Sequence, residues 1–134
     1  TTVTAMLFAG RRYFLWHSGD TRAYRVSMGR NGSGKMKQLT QDHTLNAHTL
    51  LRCIGSFEWK MPQARSGYWI RKATVLLCSD GFRNKVEEEK IMQAMLPELL
   101  CGQEQIYKHL KEMAEYAKGH GEMDNISAIA VRMG

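Results

Sequence analysis

Residues 73–81 read Ala73-Thr74-Val75-Leu76-Leu77-Cys78-Ser79-Asp80-Gly81. A short apolar, β-branched run closed by a turn pair is the signature of a strand buried on both faces. The strand is expected over Trp69 to Ser79, with Tyr68 and Trp69 leading into it. Asp80-Gly81 breaks it and places a carboxylate at its end.

On the N-terminal side, Thr2 to Phe8 and Tyr13 to Trp16 are apolar runs joined by Gly10-Arg11-Arg12, the pattern of a hairpin. Ser18-Gly19-Asp20 punctuates, and Thr21 to Val26 alternates with period two. Gly29 to Gly34 is the clearest loop, and Met36 to Thr40 is a short strand, so the four runs predict one antiparallel meander. Asn46 to Cys53 reads as a helical turn or two, and Gly55 to Gly67 as irregular.

Two helices are expected after Gly81. The first, Val86 to Leu96, carries Ile91, Met92, Met95 and Leu96 as its apolar positions and Glu87-Glu88-Glu89 in its first turn, and Pro97 stops it. The second, from about Gln103 to Lys118, has Ile106, Leu110, Met113, Ala114 and Ala117 on one face. Lys118-Gly119 is its stop signal. Ile126 to Val131 is a final strand. With no linker or internal repeat, residues 1–134 form a single α+β unit.

The 134 residues are 43% hydrophobic with 9% aromatic, which excludes a disordered chain. The longest apolar stretches, Ala5 to Ala9 and Val75 to Cys78, fall far short of the roughly 18 residues of a membrane span. No secretory leader is legible at Thr1, and no methionine opens the sequence. Nineteen Lys and Arg against thirteen Asp and Glu give a net charge of +6, but the cations are scattered. A solvated surface explains them better than a nucleic-acid groove. Cys53, Cys78 and Cys101 lack the spacing of a zinc site or a disulfide framework, and a reduced, cytoplasmic setting is expected. The tryptophans, Trp16, Trp59 and Trp69, read as core or rim residues.

Three aspartates stand where strands begin or end: Asp20, Asp80 and Asp124. Converging at one sheet edge, such carboxylates suit a hard divalent cation. Each taken alone is an ordinary turn residue. Of the histidines (His17, His43, His48, His109, His120), none has convincing spacing for a shared site, and His109 reads as solvated. A general-acid role is the functional alternative for them.

Taken together, Thr1-Thr2-Val3-Thr4-Ala5, Ser18-Gly19-Asp20-Thr21-Arg22-Ala23-Tyr24, Leu39-Thr40-Gln41-Asp42-His43, Leu76-Leu77-Cys78-Ser79-Asp80-Gly81-Phe82 and Asp124-Asn125-Ile126-Ser127 resemble the successive motifs of the metal-dependent type 2C (PPM) protein serine/threonine phosphatases in their bacterial form. The resemblance implies an α-β-β-α sandwich of antiparallel sheets with flanking helices. It implies Mn²⁺ or Mg²⁺, two ions with a third at a weaker site. Asp80 and Asp124 would be catalytic metal ligands, Asp20 would serve the weaker site, and Asn125 and Gly81 would steady them. It further implies hydrolysis of phosphoserine or phosphothreonine in a protein substrate by a metal-activated water. The family's Asp-Gly-x-Gly-Gly motif, its phosphate-binding arginine and two long helices have no counterpart in the chain. The chain is therefore expected to be the C-terminal part of the catalytic domain, weakly active or inactive alone, and to pair with itself or with the N-terminal segment. A non-catalytic phosphatase-like regulatory module is the alternative.

Overall fold

The computed structural model describes residues 1–46, 49–55 and 60–134; His48 and Trp59, and with them parts of the two segments between Asn46 and Gly67, lie outside the described residues. The elements are β1 (Val3–Ala9), β2 (Arg12–Ser18), β3 (Arg22–Met28), β4 (Gly34–Gln38), β5 (Thr44–Asn46), β6 (Thr49–Leu50), β7 (Gln63–Tyr68), β8 (Ala73–Cys78), α1 (Asp80–Arg83), α2 (Glu88–Ala94), α3 (Gln103–Gly119) and β9 (Ala128–Met133). They build two antiparallel sheets, ordered β1-β2-β7 and β4-β3-β8-β9, with β5 and β6 as a separate hairpin.

The expected hairpin of β1 and β2 forms, and Gly10 turns it at φ +57°. The four-strand meander does not. The chain leaves the first sheet at Ser18 and starts the second at Arg22, so β2 and β3 never pair. Gly19 makes this crossing possible. Its φ of +118° is a glycine conformation, and any side chain there would strike Thr2.

Three further expectations are corrected. Where one strand was expected from Trp69 to Ser79, the chain turns at Lys72, whose φ is +54°, and β8 starts only at Ala73. Trp69 belongs to the connection, where its Nε1–H donates to the Gly10 carbonyl at 2.8 Å. Within the supposedly irregular Gly55 to Gly67, Gln63 starts the strand β7, paired along β2. The Tyr13 ring covers Gly67 so closely that a Cβ would meet it at 2.9 Å, so a cross-strand aromatic fills the glycine's gap. Of the expected helical turns from Asn46 to Cys53, the described residues show instead β6 at Thr49–Leu50, paired with β5 so that Thr44 lies opposite Leu50.

β8 is central because both its faces are covered. Leu76 and Cys78 join Tyr24, Phe82, Ile91, Met95 and Met113 in the main core beneath the helices, while Leu77 packs between the sheets with Leu15, Ala23 and Leu39. That double burial explains an apolar run without alternation. The helices fall near their expected places, with α2 shorter at both ends and a one-turn α1 added before it. His109 is not solvated: its Nδ1–H donates to the Ala94 carbonyl at 2.6 Å and ties α3 to the end of α2.

The main core thus lies on the helix side of the second sheet. The outer face of the first sheet, by contrast, is exposed: Leu7, Trp16 and Tyr68 are 54%, 42% and 69% accessible. Phe14 stacks on Trp16 there, and Arg12 lies over Phe14 and Tyr68.

Candidate metal and phosphate cleft

The end of β8 and the approach to β9 are stitched together by one serine. Ser79 donates its backbone N–H to the Ser127 carbonyl at 2.9 Å, and its hydroxyl accepts the Ser127 N–H at 3.1 Å while donating to the Asn125 carbonyl at 3.2 Å. The turns bearing Asp80 and Asp124 are thereby drawn side by side. Gly81 makes the approach possible, since a Cβ there would lie 2.6 Å from the Asn125 carbonyl oxygen. Asn125 takes part through its backbone, its N–H reaching Asp124 Oδ1 at 2.7 Å. Asp80 Oδ1 likewise accepts the Gly81 N–H at 2.9 Å.

The third aspartate arrives from the β2–β3 crossing. Asp20, Asp80 and Asp124 line one open cleft of about 580 Å³ with Arg22, Asp42 and Arg83 among its other walls. Burial, and next the charge of Asp80, push the Asp20 carboxyl above its ordinary range, with Arg83 opposing. Among the described residues, none of the three aspartates has a cationic side chain within ion-pair distance. Oxygen donors of this kind suit a hard cation. Their number does not suffice: among the described residues no three acidic, histidine or cysteine side chains close around a common metal position. The aspartates share a cleft without forming a finished chelate.

Asp42 is spent differently. Arg22 grips it through Nε at 2.9 and 3.1 Å and Nη2 at 2.8 Å, and Gln38 adds a bond at 3.0 Å. Burial alone would raise this carboxyl, but the bonds from Arg22, the charges of Arg22 and Arg83, and Gln38 outweigh it and hold it below its usual value. Arg22 is saturated, with Nη1 on the Tyr24 hydroxyl at 2.9 Å.

Two histidines brace the Asp42 loop from behind. His17 is fully buried, its Nε2–H donating to the Gln41 carbonyl at 3.1 Å and its Nδ1 accepting from Thr4 Oγ1 at 2.9 Å. His43 stacks on it at 4.8 Å and accepts the Gly19 N–H at Nδ1. Burial is the main cause that lowers both pKa values, which favours the neutral form of each ring. Neither lines the aspartate cleft. Burial also pushes the Cys78 thiol up to about 12, which leaves it inert. Sequence reading missed Arg83 entirely. Its only signal was its place three residues after Asp80, one turn along the same segment.

Two facing antiparallel sheets with helices on one of them match the fold of PPM-type phosphatase catalytic domains. Comparison with known proteins gives the same class. The chain is 29% identical over 153 residues to the serine/threonine protein phosphatase PstP of Mycobacterium tuberculosis, covering 96% of the chain and 26% of that protein. With the serine/threonine phosphatase stp of Listeria innocua the identity is 28% over 151 residues, covering 98% and 56%. The PstP catalytic domain in complex with two manganese ions superposes with a TM-score of 0.77 at 29% identity, covering 96% of the chain and 56% of that domain. An S. agalactiae serine/threonine phosphatase shares the fold at a TM-score of 0.81 and 17% identity, covering 99% and 59%. No family model matches the chain. The chain thus spans between about a quarter and a little over half of these relatives.

Proposed function

We propose that these 134 residues supply the C-terminal part of a metal-dependent catalytic domain that removes phosphate from phosphoserine or phosphothreonine in proteins. The observation that carries this reading is the convergence of Asp20, Asp80 and Asp124, from three separate turns and without ion pairs among the described residues, on one cleft. Asp80 and Asp124 would hold Mn²⁺ or Mg²⁺ together with carboxylates that the 134 residues do not provide, and Asp20 would serve a weaker third site. A bound ion of this kind supplies an acidified water and neutralises phosphoryl charge. Gly81 and Asn125 keep the two ligand turns in register. The free cysteines accord with a cytoplasmic setting, and no helix among the described residues is long and apolar enough to cross a membrane.

The test is hydrolysis of p-nitrophenyl phosphate and of a phosphothreonine peptide in Mn²⁺. The 134 residues alone should turn over feebly, and a chain extended by the N-terminal part of a PPM domain should be active, with Asp80→Asn and Asp124→Asn each abolishing that activity. Full activity in the two variants would defeat the assignment. A metal-indifferent, inactive extended chain would leave the non-catalytic module in its place.

A further inference from the structure

The cleft holds three cations, and they are not equally engaged. Arg22 is consumed by Asp42 and Tyr24 at 2.8–3.1 Å. Lys85 is exposed at the rim. Arg83 lies on the cleft wall with its side chain 15% accessible, yet its contacts are long. Nη2 reaches the Asp20 carbonyl at 3.3 Å and stands 3.7 Å from Asp42, and Nη1 reaches Asn84 Oδ1 at 3.3 Å. Its Nε is shut off from solvent and has no hydrogen-bond partner among the described residues. A buried donor left unmade is costly, and the guanidinium offers five donors in a planar fork matched to phosphate oxygens.

We propose that Arg83 binds the phosphoryl group of the substrate. This rests on the phosphatase reading of the same cleft. Loosely held by its present acceptors, the guanidinium exchanges them for phosphoryl oxygens, and Nε gains a partner. A phosphoryl group so held sits in the cleft that Asp80, from the same turn of helix, also lines. It places positive charge where the aspartates alone would repel the anion.

The experiment follows the Arg83 Nε–H resonance of the full chain, assigned by its loss in Arg83→Gln or Arg83→Lys, while inorganic phosphate is added with and without Mg²⁺. The resonance should move on saturation, and Arg83→Gln should weaken phosphate binding about tenfold or more. Arg83→Lys should restore part of it. A resonance unmoved in both arms, or phosphate bound equally well by Arg83→Gln, overturns the proposal. The wild-type titration decides the matter even if a variant folds poorly. Mg²⁺ binding, measured separately by calorimetry on the chain extended by the N-terminal part of a PPM domain and on its Asp80→Asn variant, judges the metal reading independently. Phosphate-responsive Arg83 without Mg²⁺ binding supports this proposal and defeats only the metal assignment.

Discussion

Thr74 Oγ1 is fully buried in β8 and makes no hydrogen bond among the described residues. An orphaned hydroxyl forfeits its water without recompense, whereas valine has the same shape and no such cost. Thr74→Val should therefore stabilise the chain by about 1 kcal/mol, read as a rise in melting temperature. An unchanged or lower value would mean the hydroxyl has a partner. Asp42 makes the opposite case, because its pairing with Arg22 is two-pronged and about four-fifths shielded, at 20% and 21% side-chain accessibility. Its folded pKa lies below the unfolded one, so the stability it adds is present above the unfolded value of about 3.9 and is lost as pH falls through the folded value. Asp42→Asn should lower stability at neutral pH by roughly 2 kcal/mol and flatten the acid limb of the stability profile. A wild-type-like limb in the variant would contradict this.

Elements show why some of the molecule was legible and some not. β8, α2 and α3 are announced by their own side chains, since their apolar positions face one core. β7 is announced by nothing local. Gln-Ala-Arg-Ser-Gly-Tyr becomes a strand because β2 offers it a ladder and Tyr13 covers Gly67. The change of sheet between β2 and β3 was equally hidden, for alternation identifies strands and not their neighbours. The three aspartates could be picked out by their turns, whereas Arg83 depended on a one-turn helix that only tertiary packing reveals. At Gly81 this scale meets the site: Gly81→Ala drives a methyl group into the Asn125 carbonyl. The turns of Asp80 and Asp124 must then separate, and Mn²⁺ binding measured by calorimetry should fall at least tenfold while the far sheet keeps its amide protection. Undiminished metal binding would show that the two turns need not touch. The pair His17 and His43 adds a slower acid effect. Their lowered pKa values mean that stability declines as pH falls from about 6.5 toward the folded values. The His17 ring should accordingly titrate below a free histidine in NMR; titration above it would refute its neutral burial.

At the scale of the whole molecule the asymmetry between the sheets matters most. The second sheet packs under helices, while the first presents Leu7, Phe14, Trp16 and Tyr68 together on one outer face, as their shared register along β1, β2 and β7 requires. A contiguous aromatic patch of this kind is seldom left to water. The relatives extend well beyond the part this chain matches, and on the function proposed above the segment they add would cover this face. Without it the same surface should drive self-association, strengthened by salt, which screens the repulsion between chains of net charge +6. Size-exclusion chromatography of the 134 residues should show a concentration-dependent dimer or larger species. The double variant Leu7→Lys with Trp16→Lys should run as a monomer with its melting temperature nearly unchanged, since both positions are open to solvent. A wild-type chain that stays monomeric at every concentration and binds no hydrophobic dye would show that this face needs no cover. Association that survives the double variant would move the contact to the β9 edge, where Ile129 and Val131 are also exposed.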